Sequence, residues 1–345
     1  MEQDLLINDF LEQSKDGIIV DVRTPAEFKQ GHITGAINIP LFSDEERVVI
    51  GTLYKKQGKD IAVEKGLEFV GPKMASFVKD AKKAAEGKTI FIYCWRGGMR
   101  SGSMAWLFRT AGLSVKRLTG GYKAYRTSFT EEILTRKWKM IVLGGPTGCG
   151  KTEILHQLQS IGEQVLDIEG LANHKGSAFG SLGQPDQPST EHFINLLHEA
   201  LRSLDPSKPV WCEGESISIG RVYIPKELYE IMQESPFIYL NLPIEVRLDR
   251  LMKEYGNFDV AELADSFKRI ERRLGGQHAK AAIEYLENGN IREAARIGLV
   301  YYDKSYNRAI SEHRHIHYRL EPETDSPVEA ARLLIDLKLK IDENN

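Results

Sequence analysis

The chain has few cysteines, little net charge and no long apolar segment. Its three cysteines, Cys94, Cys149 and Cys212, lie far apart, and none belongs to a C-x-x-C pair. This spacing excludes a disulfide framework and favours a reducing compartment in which thiols stay free. No stretch approaches the roughly 20 apolar residues that span a bilayer, so a membrane protein is not expected.

The chain also lacks the signs of secretion and of general DNA binding. Residues 1–4 are acidic, and no basic segment followed by an apolar one stands at the N-terminus, so we predict a cytoplasmic protein. The net charge of −3 argues against a protein that coats DNA. It leaves tRNA open as a partner, because local basic clusters such as residues 136–139 and 268–273 attract phosphates.

Two halves of the chain alternate short apolar runs with helical segments. In the first half, residues 17–22 and 89–93 have the length and composition of buried strands. Between them Thr24 is placed to cap a helix that begins at Pro25. The apolar runs of the second half are residues 139–143, 164–168, 209–213, 237–242 and 315–320. This alternation predicts parallel sheets covered by helices.

We therefore predict an α/β protein of two domains. Residues 1–128 are expected to form a parallel-sheet domain, and residues 129–138 a helical connector. Residues 139–345 are expected to form a second α/β domain. This domain has a helical C-terminal part, because the pattern becomes strongly helical after Ala261.

A complete phosphate-binding motif stands at the start of the second domain. Residues 145–152 match G-x-x-x-x-G-K-[ST], with an apolar strand before them and a helical segment after them. Such a loop turns its backbone N–H groups around an anion at a helix N-terminus. The predicted diphosphate-binding residues are Gly145, Gly148, Gly150, Lys151 and Thr152. The motif predicts a P-loop NTPase-like domain, but it recognises phosphates and not the rest of the ligand.

Acidic residues that follow the apolar strands are candidates for a metal site beside these phosphates. Thr152 supplies a hydroxyl of the kind that commonly ligates Mg²⁺. The carboxylate partner is expected from one of two pairs, Asp167 with Glu169 or Glu213 with Glu215. The sequence leaves open which acid binds a metal and whether Mg²⁺ is required.

A second candidate site surrounds Cys94. Residues 94–101 (Cys-Trp-Arg-Gly-Gly-Met-Arg-Ser) follow the apolar run 90–93 and precede a helical segment. A thiol at a strand end that faces a helix N-terminus is in a setting that favours the thiolate. Arg96 and Arg100 would stabilise a thiolate, a persulfide or a bound oxyanion. Cys94, Arg96 and Arg100 are therefore the predicted catalytic residues.

The first domain resembles the rhodanese family. The resemblance rests on residues 21–28 and 31–40, on the Cys94 loop, and on a Gly-Gly-Tyr element at the start of residues 120–125. It implies a rhodanese-like fold in which Cys94 carries a chalcogen as a persulfide or perselenide. Four residues of the matching segments are interpreted as hydrogen-bond and ion-pair residues rather than catalysts: Asp21, Arg23, Glu27 and His32.

The length of the Cys94 loop departs from the rhodanese pattern. Five residues separate Cys94 from Arg100, whereas sulfurtransferase loops usually have four. The longer spacing occurs in cysteine phosphatases of the same fold, whose loop accommodates a phosphate-sized group. We therefore expect the donor or substrate at Cys94 to carry a phosphoryl group.

The Cys94 loop followed by the phosphate-binding motif and by residues 167–180 resembles the tRNA 2-selenouridine synthase family over nearly the whole chain. The resemblance implies an enzyme that replaces the sulfur of 2-thiouridine at the tRNA wobble position with selenium from selenophosphate. It also implies an S-geranylated intermediate made from geranyl diphosphate. The implied partners are a tRNA with wobble 2-thiouridine and a supplier of selenophosphate, and neither DNA nor a membrane.

Other functions fit parts of the same pattern. The chain would fit an ATP-dependent P-loop kinase or ATPase with a rhodanese-like regulatory module. Formation of ADP in the presence of an acceptor would favour this function. It would also fit a non-catalytic nucleotide-binding scaffold, in which Cys94 shows no heightened reactivity toward alkylating agents. The loop length alone also allows a phosphatase.

Overall fold

The computed structural model of the protein describes residues 4–313 and 316–343. The chain forms two compact units, Met1–Thr135 and Arg136–Asn345. Within the segment expected as a connector, residues 129–135 belong to the last helix of the first unit. No helix within the described ranges is long and apolar enough to cross a membrane.

The first unit is built on a five-stranded sheet whose neighbouring strands are all parallel. Its strands are β1 (Asp4–Leu5), β2 (Ile18–Asp21), β3 (Ile37–Asn38), β4 (Ile90–Tyr93) and β5 (Val115–Leu118). Its helices are α1 (Ile7–Gln13), α2 (Pro25–Gln30), α3 (Asp44–Gln57), α4 (Lys59–Val70), α5 (Met74–Ala85), α6 (Met99–Thr110) and α7 (Gly121–Thr135). The strand order is β1-β5-β4-β2-β3.

The central strand β4 shows why helices cover this sheet on both faces. Ile90 and Ile92 pack into one core with residues of α5 and α6. Phe91 and Tyr93 pack into a second core with residues of α1 and α7. Successive side chains of a strand point to opposite faces, so a run of four buried residues requires two cores. The predicted parallel sheet in the first domain is confirmed.

The second unit contains another five-stranded parallel sheet, of order β12-β11-β6-β8-β7, and a short hairpin. Its strands are β6 (Lys139–Gly144), β7 (Gln164–Leu166), β8 (Pro209–Glu213), β9 (Ser218–Ile219), β10 (Val222–Tyr223), β11 (Phe237–Leu240) and β12 (Tyr318–Leu320). Its helices are α8 (Lys151–Ser160), α9 (Ile168–Ala172), α10 (Thr190–Arg202), α11 (Lys226–Glu234), α12 (Ile244–Tyr255), α13 (Val260–Leu274), α14 (Gly276–Glu287), α15 (Ile291–His313) and α16 (Pro327–Glu343).

The predicted strands of the second unit are present, with differences at their ends. Strand β7 ends at Leu166 because the Asp167 side chain accepts the N–H of Gly170 and caps α9. The strand predicted at residues 315–320 begins at Tyr318, and residue 315 lies outside the described residues.

The predicted helical C-terminal part corresponds to α13, α14 and α15. These helices share one buried apolar cluster with α12. Each helix contributes several residues to it, for example Leu251 of α12, Phe267 of α13, Ala282 of α14 and Leu299 of α15. Amphipathic helices of this kind are stabilised mainly by burying their apolar faces against one another. The α/β fold class with a helical C-terminal part is therefore confirmed.

A close backbone contact in the first unit fixes the position of the Cys94 loop. Gly121 has a φ of +62°, and a side-chain carbon added there would overlap the carbonyl oxygen of Cys94 and the amide nitrogen of Gly97. The N–H of Tyr122 donates to the same Cys94 carbonyl at 2.9 Å. The start of α7 therefore packs directly on the base of the loop, and only glycine fits at position 121.

Gly121→Ala is expected to destabilise the first unit by about 1–3 kcal/mol more than Gly35→Ala. Both glycines have a positive φ, of +62° and +78°, but a carbon added at Gly35 would contact nothing within 4 Å. The backbone strain is thus shared, and only Gly121 adds a steric overlap. Denaturant unfolding of the two variants measures the difference, and equal losses would contradict the contact.

Candidate active sites

In the first unit, Cys94 follows the last residue of β4 and lies at the base of a loop that leads to α6. Its side chain is 3% exposed, and its sulfur lies 3.2 Å from the hydroxyl of Ser101. A strand end followed by a helix N-terminus is a position at which a partial positive charge favours an anion. The structure therefore places Cys94 where the sequence predicts it.

The backbone of the Cys94 loop is available to bind an oxyanion. Among the described residues, the N–H groups of Trp95, Arg96, Gly97 and Gly98 donate no hydrogen bond. Gly97 has a φ of +66°, and a side chain there would overlap the carbonyl oxygen of Leu118. Consecutive N–H groups without protein acceptors are a common feature of anion-binding loops.

The two arginines of the loop have different surroundings. Arg100 donates to both carboxylate oxygens of Glu27, at 2.6 and 3.2 Å, and so ties the loop to α2. Burial opposes the charge on Glu27, but Arg100 outweighs it and lowers the pKa of Glu27. The Arg96 side chain is exposed. Arg96 is therefore the arginine that a ligand at Cys94 would meet without competition from an ion pair.

The residues interpreted as structural form hydrogen bonds and ion pairs beneath the loop. Arg23 is buried, donates to Asp21 at 2.7–3.1 Å, and stacks on the ring of Tyr122. His32 contacts the carbonyl oxygen of Phe28 through Nδ1 and stacks on the Phe28 ring. These contacts, together with the Glu27–Arg100 pair, are those expected of hydrogen-bond and ion-pair residues.

In the second unit, the phosphate-binding motif connects β6 to α8 as the P-loop. Gly145, Gly148 and Gly150 have φ values of +152°, +83° and +77°, so the turn depends on glycine. The ammonium group of Lys151 donates to the carbonyl oxygen of Gly145 at 3.1 Å. The motif borders a cavity of about 1010 Å³, here called the P-loop cavity. This volume is at the upper end of ligand-binding cavities.

The charge of Lys151 is stabilised by two carboxyl groups of the P-loop cavity, Glu169 and Glu215. Burial alone would favour the neutral amine, but Glu169 and Glu215 outweigh burial and raise the pKa of Lys151 above its usual value. Both carboxylates line the same cavity. Lys151 is therefore a permanent positive charge at the position where phosphates are expected.

Glu169 and Glu215 form a pair of carboxyl groups beside Thr152. The Thr152 hydroxyl donates to Glu169 at 3.1 Å, and the charge of Glu215 acts on the same Glu169 carboxyl group. Burial, and next the charge of Glu215, raise the pKa of Glu169 to about 8. Gly176 packs so closely on both acids that a side chain there would displace them. The pair retains a proton at neutral pH.

The other predicted acids lie outside the P-loop cavity lining. Asp167 caps α9 and contacts His156 at 3.3 Å. Glu213 is fully buried, and one of its oxygens accepts the N–H of Ile168 at 3.0 Å. Its other oxygen has no hydrogen-bond partner among the described residues. Burial raises the pKa of Glu213 well above its usual range.

The oxygen atoms at the P-loop cavity fit Mg²⁺. No group of three or more His, Cys, Asp or Glu residues suited to a metal occurs in the described part of the chain. Mg²⁺, however, is commonly bound by one or two carboxylates together with substrate phosphates and water. Thr152 and Glu169 supply such donors next to Lys151, whereas Asp167 and Glu213 do not line the cavity.

Several residues that sequence patterns did not indicate complete the site. Arg247 binds Asp303 through both guanidinium nitrogens, at 2.8 and 2.5 Å, and donates to the P-loop carbonyl of Thr147. The Tyr306 hydroxyl accepts the N–H of Gly145 at 2.6 Å. These residues come from α12 and α15, far from the motif in sequence. No local signal identifies them.

Comparisons with known proteins match both domains of the chain. A family model described as "tRNA 2-selenouridine synthase AAA domain" matches residues 138–321, and one described as "Rhodanese-like domain" matches residues 6–128. Among solved structures, the N-terminal domain of a protein from Clostridium difficile 630 is 44% identical, with a TM-score of 0.35. The match covers 36% of this chain and 98% of that chain.

Two relatives named tRNA 2-selenouridine synthase match most of the chain. The protein from Shewanella frigidimarina (strain NCIMB 400) is 37% identical, over 78% of this chain and 79% of that protein. The protein from Sulfurovum sp. (strain NBC37-1) is likewise 37% identical, over the same shares of each chain. The chain therefore belongs to the tRNA 2-selenouridine synthase family.

Proposed function

We propose that the protein replaces the sulfur of wobble 2-thiouridine in tRNA with selenium. Geranyl diphosphate first alkylates the sulfur, and selenophosphate then supplies the selenium. The observation that carries this proposal is the presence, in one chain, of a P-loop with a half-buried Lys151 and of a cysteine loop whose N–H groups donate no hydrogen bond among the described residues. The names of the relatives support tRNA as substrate and selenium as the element inserted.

In the first proposed step, the P-loop holds the diphosphate of the prenyl donor. The thiocarbonyl sulfur attacks the first carbon of the geranyl group, the carbon–oxygen bond breaks, and diphosphate leaves while N3 of the base loses its proton. Lys151 and the P-loop N–H groups stabilise the charge that develops on the diphosphate. Thr152 and Glu169 would hold a Mg²⁺ ion, which supplies further charge neutralisation there.

In the second proposed step, the Cys94 loop activates selenophosphate. The loop N–H groups and Arg96 bind the phosphoryl oxygens, and the Cys94 thiolate attacks phosphorus. The phosphorus–selenium bond breaks and hydrogen selenide leaves. Water then hydrolyses the sulfur–phosphorus bond and releases phosphate. No oxidant is needed, whereas a perselenide would require selenium in a higher oxidation state than selenophosphate provides.

The released hydrogen selenide completes the exchange at the base. Selenium adds to C2 of the S-geranylated ring, the carbon–sulfur bond breaks, and geranyl thiol leaves as N3 regains its proton. Alkylation is needed because a thiocarbonyl sulfur is a poor leaving group, whereas a thioether sulfur departs as a thiol. The P-loop thus serves the alkylation step and the Cys94 loop serves the selenation step, so mutations should separate the two steps.

Lys151→Gln is expected to slow geranylation by about 100-fold or more, because the leaving diphosphate loses its buried cation. Cys94→Ala is expected to abolish selenation and to leave geranylation intact. The measurement is mass spectrometry of nucleosides from 2-thiouridine tRNA incubated with geranyl diphosphate alone, and then with selenophosphate added.

Cys212→Ala is the control for Cys94→Ala, because Cys212 is also buried at a strand but lies outside both sites. Selenation that survives in Cys94→Ala would exclude the role assigned to that thiol. ATP turnover by the wild type, with no modification of tRNA, would favour an ATP-dependent kinase or ATPase instead.

The Glu169–Glu215 pair predicts a pH-dependent stability. The pKa of Glu169 is raised to about 8 in the folded protein, so its contribution to stability is complete below the unfolded pKa of about 4.5 and is lost as the pH rises from there through 8. Relative to Glu169→Gln, the wild type should therefore lose stability from pH 5 to pH 8. The expected loss is at least about 1.4 kcal/mol, which corresponds to one pKa unit.

Chemical denaturation at pH 5, 6, 7 and 8 in the presence of EDTA tests this expectation. Glu234→Gln, at an exposed position outside the site, is the control. A constant difference between wild type and Glu169→Gln over this range would show that Glu169 is already ionised at pH 5.

A further inference from the structure

Trp95 is a partly exposed aromatic side chain directly beside the Cys94 thiol. It follows Cys94 in the chain, and 36% of its surface is open to solvent, whereas Cys94 is 3% exposed. A single exposed aromatic residue is common on protein surfaces and needs no functional explanation. Three features of its surroundings give Trp95 one: the rings beneath it, the cation next to it, and the chemistry of the neighbouring thiol.

Buried rings support Trp95 from within the domain. Its ring packs against that of Tyr122, with the two centroids 5.7 Å apart. Tyr122 stacks in turn on Tyr93 and Tyr125, each at 6.0 Å, and all three tyrosines are fully buried. The Arg23 guanidinium lies 3.9 Å from the centre of the Tyr122 ring. The indole is therefore held in position by the folded protein, so little side-chain freedom is lost when a ligand contacts it.

An exposed lysine lies beside Trp95. The N–H of Lys123 donates to the carbonyl oxygen of Trp95 at 3.0 Å, so the two side chains start from neighbouring backbone positions. The Lys123 side chain is exposed, and it forms no salt bridge with the rest of the described chain. Proteins that bind single-stranded RNA combine an aromatic ring, on which a base stacks, with a cation that contacts the phosphate backbone. Trp95 and Lys123 offer both groups next to Cys94.

The chemistry of the proposed second step requires a base at this place. Hydrogen selenide leaves the phosphorus atom at Cys94 and must add to C2 of the ring before it diffuses into solvent. Holding the two reactants side by side replaces a slow bimolecular encounter with a local one. Trp95 is the residue next to the thiol, so a base stacked on its indole lies within the Cys94 site. RNA is therefore favoured over an acidic protein surface, which would need the lysine but not the ring.

We propose that Trp95 is the platform on which the wobble base of the tRNA stacks, and that Lys123 binds a phosphate of the same strand. This inference rests on the proposed function and adds two substrate-binding residues to the Cys94 site. Stacking on an aromatic ring tolerates changes of the base, because every base has a π-face. The same platform therefore accepts the base with a geranylated sulfur and releases it with selenium.

Binding of an anticodon stem-loop to the full-length protein, measured by fluorescence anisotropy, tests the stack. Two RNAs are compared, one with S-geranyl-2-thiouridine at the wobble position and one that lacks a base there. Trp95→Leu is expected to weaken binding of the first RNA by about 10-fold, because one base stack is lost, and to change binding of the second by less than about three-fold. Trp95→Phe keeps a flat ring and is expected to restore most of the affinity for the first RNA.

The contribution of Lys123 is measured through the salt dependence of the same binding. Lys123→Gln is expected to weaken binding of both RNAs about equally and to reduce the slope of log affinity against log salt by about 1, because one phosphate contact is lost. Lys88→Gln is the matched control, since Lys88 precedes β4 and so lies at the opposite end of that strand from Cys94. It is expected to change neither the affinity nor the slope.

Trp106→Leu is the matched control for Trp95→Leu, because Trp106 is 59% exposed and lies about 10 Å along α6 from the start of that helix. Equal losses of affinity in the two variants would overturn the assignment to Trp95. Equal losses for the two RNAs in Trp95→Leu would show a packing role and would overturn it as well. A wild type that binds the RNA without a wobble base as tightly as the intact one also contradicts the stack.

If Trp95→Leu does not fold, cross-linking of the wild type decides. A stem-loop with photoreactive 4-thiouridine at the wobble position is expected to cross-link to the peptide that contains Trp95, and a cross-link confined to other peptides contradicts the proposal. Base-dependent binding through Trp95 without selenation of tRNA would refute the proposed function and leave this inference standing. Selenation by the wild type, with RNA binding unaffected in Trp95→Leu, would overturn this inference and leave the proposed function standing.

Discussion

The second unit depends on the positive charge of Lys151, which is held against the carboxyl groups of Glu169 and Glu215. Burial acts to lower the pKa of Lys151, but the two carboxyl groups outweigh burial and raise it. The two acids in turn repel each other, so one keeps a proton until the pH approaches 8. In the proposed function a diphosphate adds negative charge to this arrangement, and Lys151 with the P-loop N–H groups stabilises it.

The two candidate sites reuse the same local construction with different chemistry. In each, a buried parallel strand ends in a glycine-containing loop that leads to a helix N-terminus, from β4 to α6 and from β6 to α8. This construction concentrates N–H groups around an anion whatever the identity of the loop residues. The difference lies in the side chain added, a thiol at Cys94 and an ammonium at Lys151. In the proposed function, one binding principle therefore serves a nucleophile in one unit and a leaving group in the other.

The sequence predicted what depends on local pattern and missed what depends on tertiary contact. Strand runs, the Thr24 cap and both anion-binding loops follow from periodicity and glycine spacing, and the structure contains them. The choice among the acids did not follow from the sequence. Glu213 is the last residue of β8 and Glu215 lies two residues beyond it, and only the fold shows that Glu213 is buried while Glu215 lines the P-loop cavity. The Arg247–Asp303 ion pair was missed for a similar reason. Its two residues look like ordinary helix positions until α12 and α15 are packed together.

In the proposed function, one chain performs alkylation and then selenium insertion on the same base. Nucleoside mass spectrometry of 2-thiouridine tRNA incubated with the wild-type protein, with each co-substrate alone and with both, tests this order. We expect a geranylated nucleoside with geranyl diphosphate alone, no change with selenophosphate alone, and a 2-selenouridine product with both. Formation of 2-selenouridine from selenophosphate alone would contradict the order of steps, and unchanged 2-thiouridine under all conditions would contradict the function.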